Sequence, residues 1–263
     1  MKFRPTGVCA LCLQQSLLCK SHLLPAALYR FVRAIGAKNP NPRIFTPEFD
    51  GQGPEQWKAY LLCEECEKRF SVQGEEWVMR HCCRSTSGNF LLRDILRSGT
   101  PVATAEETRT FAASQFSDVQ TEKLIYFALS VYWRASAYRW QLRGMAAEPL
   151  KLGPWAEQIR LYLLGRASLP KNLAMSVWVS DAKEPWLTFH LPFTTGRREH
   201  YLSIPGIGFH LMLHPNMPEA IYKMSITTPP AHPISLSRIF EEQIRQKFNR
   251  TRQRRSSSAG LNG

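Results

Sequence analysis

The sequence predicts an α+β protein, and three observations carry that expectation. Cys9/Cys12 and Cys63/Cys66 form two Cys-x-x-Cys pairs near the N-terminus, one long run of helical periodicity follows Ser117, and beyond Pro170 the apolar residues move to every second position. They divide the chain into a cysteine-built head at residues 1–84, a body of helices and antiparallel sheet at 85–250, and a disordered basic tail at 251–263.

The head follows from the cysteines. A two-residue gap lets both sulfurs of one turn reach a metal at about 2.3 Å, so two pairs supply the four thiolates of one tetrahedral zinc. Fifty residues separate Cys12 from Cys63, so the intervening segment must carry structure of its own. A treble clef meets that requirement: a knuckle, a β-hairpin, then a helix whose first turn donates the second pair. Leu61-Leu62 running into Cys63 to Phe70 reads as a strand entering such a helix, which runs to about Arg69; Gly74 interrupts it and Glu75–Cys83 forms another segment. Arg43–Phe45 and Trp57–Leu62 are the expected hairpin strands, joined through Gly51-Gln52-Gly53-Pro54. Pro25 opens a helix over Ala26–Ile35, with Gly36 as its stop. Disulfides between the same cysteines are the alternative and require an oxidising compartment. Met1 to Val8 is short, polar and basic, unlike a signal peptide, so the expected location is the cytoplasm. Cys19, Cys82 and Cys83 are left over as small buried apolar side chains, with Cys19 near enough to the first knuckle to substitute as a ligand.

In the body, Phe90–Leu96 is a short helical patch ended by Gly99-Thr100-Pro101. Ser117-x-x-Gln120 matches a capping box and opens a helix running to Gly144. Its face is Leu124, Ala128, Val131, Ala135, Tyr138 and Leu142, with Trp133 as a core aromatic and Lys123, Arg134, Arg139 and Arg143 on the remaining surface. Pro154 starts a helix through Leu164, stopped by Gly165. Alternation then marks strands at Met175–Val179, Leu187–Leu191, Tyr201–Ile204, Ile207–Leu213 and Tyr222–Ile226, with His190, His210 and His214 on their solvent face. Leu236, Phe240, Ile244 and Phe248 stripe a last helix over Ser235–Arg250, while Arg238, Arg245 and Arg252 recur on another face.

With 34 Lys+Arg against 21 Asp+Glu the net charge is +13, a surplus suited to a polyanionic partner, nucleic acid and DNA before RNA. The longest apolar stretch, Leu124–Trp133, is too short to span a bilayer, so no membrane partner is expected. A Walker A loop, a Gly-rich dinucleotide turn and a Gly-x-Ser-x-Gly elbow are all missing, which excludes those classes as motif-based readings.

Cys9-x-x-Cys12, His22 followed by Leu23, Leu24 and Pro25, and Leu61-Leu62-Cys63-x-x-Cys66 together resemble the zinc-stapled branch of the HNH endonuclease superfamily, over no more than residues 1–80. The resemblance implies that Cys9, Cys12, Cys63 and Cys66 hold a structural zinc. It also implies that His22 is the general base of a divalent-metal-dependent endonuclease acting on DNA. Three positions depart from that pattern: Ser21 stands where an acidic residue is usual, Lys58 where an Asn falls, and Glu67 where the last His or Asn falls. Glu67 is a hard oxygen donor suited to magnesium or manganese, which leaves a route to catalysis through His22 and Glu67. The same departures support the alternative, a catalytically silent zinc module that binds nucleic acid or a protein partner.

Overall fold

In the head, the chain bends through the first cysteine pair between β1 (Thr6–Val8) and β2 (Gln15–His22), which pair antiparallel. Leu13, with φ of +63°, turns the chain here, and its N–H bonds the Cys9 carbonyl at 2.8 Å. The computed structural model describes residues 4–35, 41, 43–46, 49–53, 55–82, 90–142, 145–182, 187–196 and 198–259. Gly36, Pro54, Cys83, the division at 84/85, Gly144 and residues 260–263 lie outside these.

Helix α1 (Ala26–Ile35) begins directly after Pro25, as the proline predicts. The strands β3 (Arg43–Thr46) and β4 (Phe49–Gln52) then form a hairpin of their own, and β5 (Lys58–Cys63) returns to lie antiparallel to β2. The expected hairpin between Arg43–Phe45 and Trp57–Leu62 is therefore corrected. Cross-strand pairing between β2 and β5 brings Leu18 opposite Cys63, which carries the second pair back to the first across the long intervening segment.

Cys63 caps α2 (Glu64–Phe70), which continues through a π-helical turn at Ser71–Glu75 into α3 (Glu76–Cys82). Gly74 does not interrupt the helix. It lies in the π turn, where a Cβ would come within 2.8 Å of the Phe127 backbone nitrogen, so glycine here permits the close approach of another helix.

In the body, α4 (Leu91–Arg97) is followed by β6 (Ala103–Ala105) and β7 (Thr108–Ala112), a hairpin the sequence pattern did not reveal. The central helix α5 (Thr121–Ala137) starts after Gln120 without the side-chain cap expected of Ser117-x-x-Gln120. It is buried without a break from Leu124 to Ala135. It ends seven residues before Gly144 because its terminal carbonyls find other partners: the Trp140 indole donates to Arg134 O at 2.8 Å, and Leu150 N–H to Ala135 O at 3.0 Å. Leu142 consequently belongs to a small hairpin, β8 (Gln141–Leu142) with β9 (Met145–Ala146), rather than to the helical face. Then α6 (Trp155–Leu163) starts after Pro154, and Gly165 turns the chain at φ of +71°.

Four strands follow, β10 (Leu173–Ser180), β11 (Thr188–Gly196), β12 (Glu199–Ile204) and β13 (Ile207–Leu213), in agreement with the alternation. The expected strand at Tyr222–Ile226 is absent: the helical turn α7 (Glu219–Lys223) takes its first two residues and Met224–Ile226 form turns. The expected helix start at Ser235 is also corrected: β14 (Pro233–Ser237) occupies that segment, and α8 runs from Phe240 to Ala259, beyond Arg250.

The large sheet has nine strands in the order β4-β3-β11-β12-β13-β10-β14-β7-β6. It is mixed, since β11 pairs parallel with β3 and β10 parallel with β14, whereas an antiparallel sheet was expected. One face packs on α5 through residues such as Phe209 and Tyr132, whose hydroxyl donates to the Phe209 and His200 carbonyls. The other face carries α8, seated by Phe240, Ile244 and Phe248 against Phe193 and Tyr201. A single apolar core runs from Cys9 and Leu11 of the head to Ile234 and Leu236 of the sheet, so head and body share buried surface.

Because α8 covers the outer sheet face, two histidines expected in solvent are enclosed. His190 is buried, with Nδ1 at 2.8 Å from Ser203 Oγ, and His210 stacks on Tyr201 with ring centroids 4.0 Å apart. His214 is exposed, as expected. Burial lowers the pKa of His190 to about 4, of His200 to about 4 and of His210 to about 3, so all three are neutral at pH 7.

Candidate metal centre and adjoining groove

The sulfurs of Cys9, Cys12, Cys63 and Cys66 all lie within 4.8 Å of one another, with Cys12 Sγ and Cys63 Sγ 3.9 Å apart. A disulfide requires sulfurs at about 2.0 Å. A tetrahedron of sulfurs at about 2.3 Å from a central zinc has edges of about 3.8 Å, so this spacing fits a metal and not a bridge. Local structure brings the thiolates in: the turn after β1 offers Cys9 and Cys12, and the start of α2 offers Cys63 and Cys66. The Cys63 N–H donates to Cys9 Sγ at 3.3 Å, an interaction that favours a charged sulfur.

Four thiols this close do not ionise alike. The hydrogen bond from Cys66 brings Cys9 down to about 4, and the same bond, together with burial, pushes Cys66 far up. A divalent cation at the centre relieves that repulsion, which is the chemistry a set of four thiolates supplies to zinc. Cys19, on β2 opposite Leu62, lies outside the group of four and is not a substitute ligand in this arrangement. Cys82 is buried, in keeping with an apolar role.

Next to the cysteines is an open groove of about 730 Å³ that includes His22, Glu67, Glu75 and Arg134 in its lining. The two residues singled out for catalysis are thus neighbours of one groove. His22 ends β2 opposite Lys58; burial first, then the Lys58 charge, hold its pKa below the ordinary histidine value. Glu67, in the first turn of α2, has its pKa raised by burial and drawn back down by a hydrogen bond from Ser21 and by the Arg134 charge. Ser21 itself is fully buried, and its hydroxyl accepts the Leu62 N–H at 3.1 Å. Glu67 Oε1 is buried without a hydrogen-bond partner among the described residues.

Arg134 is the residue that sequence reasoning misplaced. Expected on the surface of the central helix, it is 1% exposed, donates to the His22 carbonyl at 2.7 Å and to Glu75 Oε1 at 2.7 Å, and lies over the Phe70 ring. Arg160 of α6 does the same at the first knuckle, where it donates to the Leu11 carbonyl while pairing with Glu157. Two body helices therefore hold the head by guanidinium bonds to its backbone. The sequence signal was present only as an arginine inside an apolar run at 124–135, where a surface position has too few polar neighbours.

No known protein family matches the chain, and neither a curated protein nor a solved structure matches it. No helix among the described residues is long and apolar enough to cross a membrane.

Proposed function

We propose that the chain is a zinc-stapled module of treble-clef type that binds nucleic acid, with a head that resembles the HNH endonucleases but serves binding rather than cleavage. The close grouping of Cys9, Cys12, Cys63 and Cys66 carries this reading. In it, β2 and β5 are the hairpin and α2 the helix that follows, the segment between the strands being an insertion. The charge of +13 supports a polyanionic partner.

His22 and Glu67 act as supports for the hairpin in this reading. Arg134 takes the His22 carbonyl, and Ser21 takes the carboxylate of Glu67, so each has a structural partner. A second reading, a nuclease using magnesium or manganese, is favoured by one observation: His22 and Glu67 line the same groove, and one Glu67 oxygen has no partner among the described residues. A divalent ion would supply Lewis acidity there, with His22, neutral at pH 7, available to accept a proton.

Supercoiled and linear DNA, incubated with the protein over a series of salt concentrations and with magnesium or manganese, separates the readings. The module binds with an affinity that falls steeply with salt and leaves the plasmid intact in either metal. Nicking that His22→Ala abolishes, with zinc content unchanged, makes it a nuclease. Failure to bind at low ionic strength removes nucleic acid as the partner.

A further inference from the structure

Under α8 lies a second recess, of about 420 Å³, whose walls differ in chemistry. One wall is aromatic. On the outer face of the sheet, Trp178 of β10, His210 of β13, Tyr201 of β12 and Phe193 of β11 form a ladder of near-parallel rings, at interplanar angles of 13°, 10° and 26° from one pair to the next. Gly208, paired with Trp178 across the strands, places no side chain directly opposite the indole on β13. It also lets α8 approach, since a Cβ there would meet Ile244 at 2.8 Å. Trp178 is the terminal ring of the ladder and only half-buried.

The other wall is polar and cationic. Gln243, Gln246, Lys247 and Arg250 fall at i, i+3, i+4 and i+7 of α8, one stripe of the helix, and all four line the recess. Lys247 Nζ lies 4.8 Å from the Tyr201 ring centroid, so the positive charge stands directly beside the aromatic wall. Between the walls, His210 Nε2 is buried, with Glu199 Oε2 at 3.6 Å and no hydrogen bond among the described residues.

We propose that this recess is a nucleotide site, in which a base stacks on Trp178 and its phosphate is held by Lys247 and Arg250. A flat ring beside two cations selects a planar aromatic group that carries an anion, and the Gln243 amide offers hydrogen-bonding partners to a base edge. The volume is within the range that small-ligand sites occupy. The site takes its class of ligand from the nucleic-acid reading above, but it stands on other residues, in the body rather than the cysteine head. A free mononucleotide and a nucleotide within a single strand present the same chemistry.

Fluorescence-labelled oligothymidylate and thymidine 5′-monophosphate as competitor test it. The strand binds the full-length protein, Trp178→Ala weakens binding about tenfold, Trp178→Phe keeps most of it, and Lys247→Gln with Arg250→Gln lowers the salt slope by about 0.7, the single-strand increment for one phosphate. Competition by the monophosphate at comparable affinity identifies a free nucleotide as the ligand; strand binding with the same Trp178 dependence and no competition identifies a single strand. Unaltered strand affinity in the Trp178→Ala and Lys247→Gln/Arg250→Gln proteins overturns the proposal, as does absence of strand binding by a protein that still binds duplex DNA, an outcome that leaves the function above standing. Because Trp178→Ala can loosen α8, a 5-iodouracil strand is also photo-crosslinked to the unaltered protein. An adduct on Trp178 or Tyr201 supports the site, and adducts confined to the head overturn it.

Discussion

In the head, three short strands and a seven-residue helix surround four sulfurs; in the body, seven strands of the nine-stranded sheet, extended by the head's β3 and β4, and a helix buried along twelve consecutive residues surround aliphatic and aromatic side chains. The head's strands are too few to bury a core of their own, and its order depends on ligands far apart in the chain meeting at one point. The body gains its order from apolar area, about 1.5–3 kcal/mol for each fully buried large side chain. The two meet in a shared core and at two arginine clamps. The difference teaches that four converging cysteines, placed to bind a metal, mark where the head's chain segments meet, while the body supplies the surface against which they rest.

That joint is the place where the comparison breaks most easily. Arg134→Met removes the buried partner of the Glu75 carboxylate and of the His22 carbonyl, and we expect a loss of about 3–5 kcal/mol in urea unfolding. Adding Glu75→Gln to it restores part of the loss, because the unpaired charge goes with it. A loss below about 1 kcal/mol, the range of exposed pairs, means that the Arg134 clamp does not hold head to body.

A second effect distinguishes the body by pH. His190, His200 and His210 have folded pKa values depressed below the unfolded value of about 6.5, so the unfolded chain binds more protons as pH falls. Their neutral burial is without penalty above pH 6.5, and stability declines by about 1.4 kcal/mol per pH unit for each histidine from there down to about pH 4. Urea titrations across that window check this, and His200→Gln reduces the slope by one proton. An unchanged slope in that protein means the acid response comes from elsewhere.

What the sequence made legible follows the same division. Residue spacing named the four cysteines, and a proline marked the start of α1, because metal geometry and backbone constraint act over a few residues. Alternation located β10 to β13 for the same local reason. The pairing of Arg43 with Thr188 was hidden, since a parallel contact across so long a separation leaves no periodic trace. Residues 235–237 read as the start of the last helix because Leu236 fits the helical stripe as well as it fits β14. His190 and His210 read as solvent-facing because only α8, docked from the far end of the chain, closes that face. In the groove, His22 and Glu67 were found from the resemblance, while Arg134 was missed because a buried charge is legible only once its partners are in place.

The account rests most directly on the metal. X-ray absorption at the zinc edge, with elemental analysis of the purified protein, is expected to give one zinc per chain bound by four sulfurs at about 2.3 Å. Cys63→Ser should lose the metal and the solubility of the chain together. A folded preparation without zinc, or one whose stability is unaffected by Cys63→Ser, would contradict a head held together by its four cysteines.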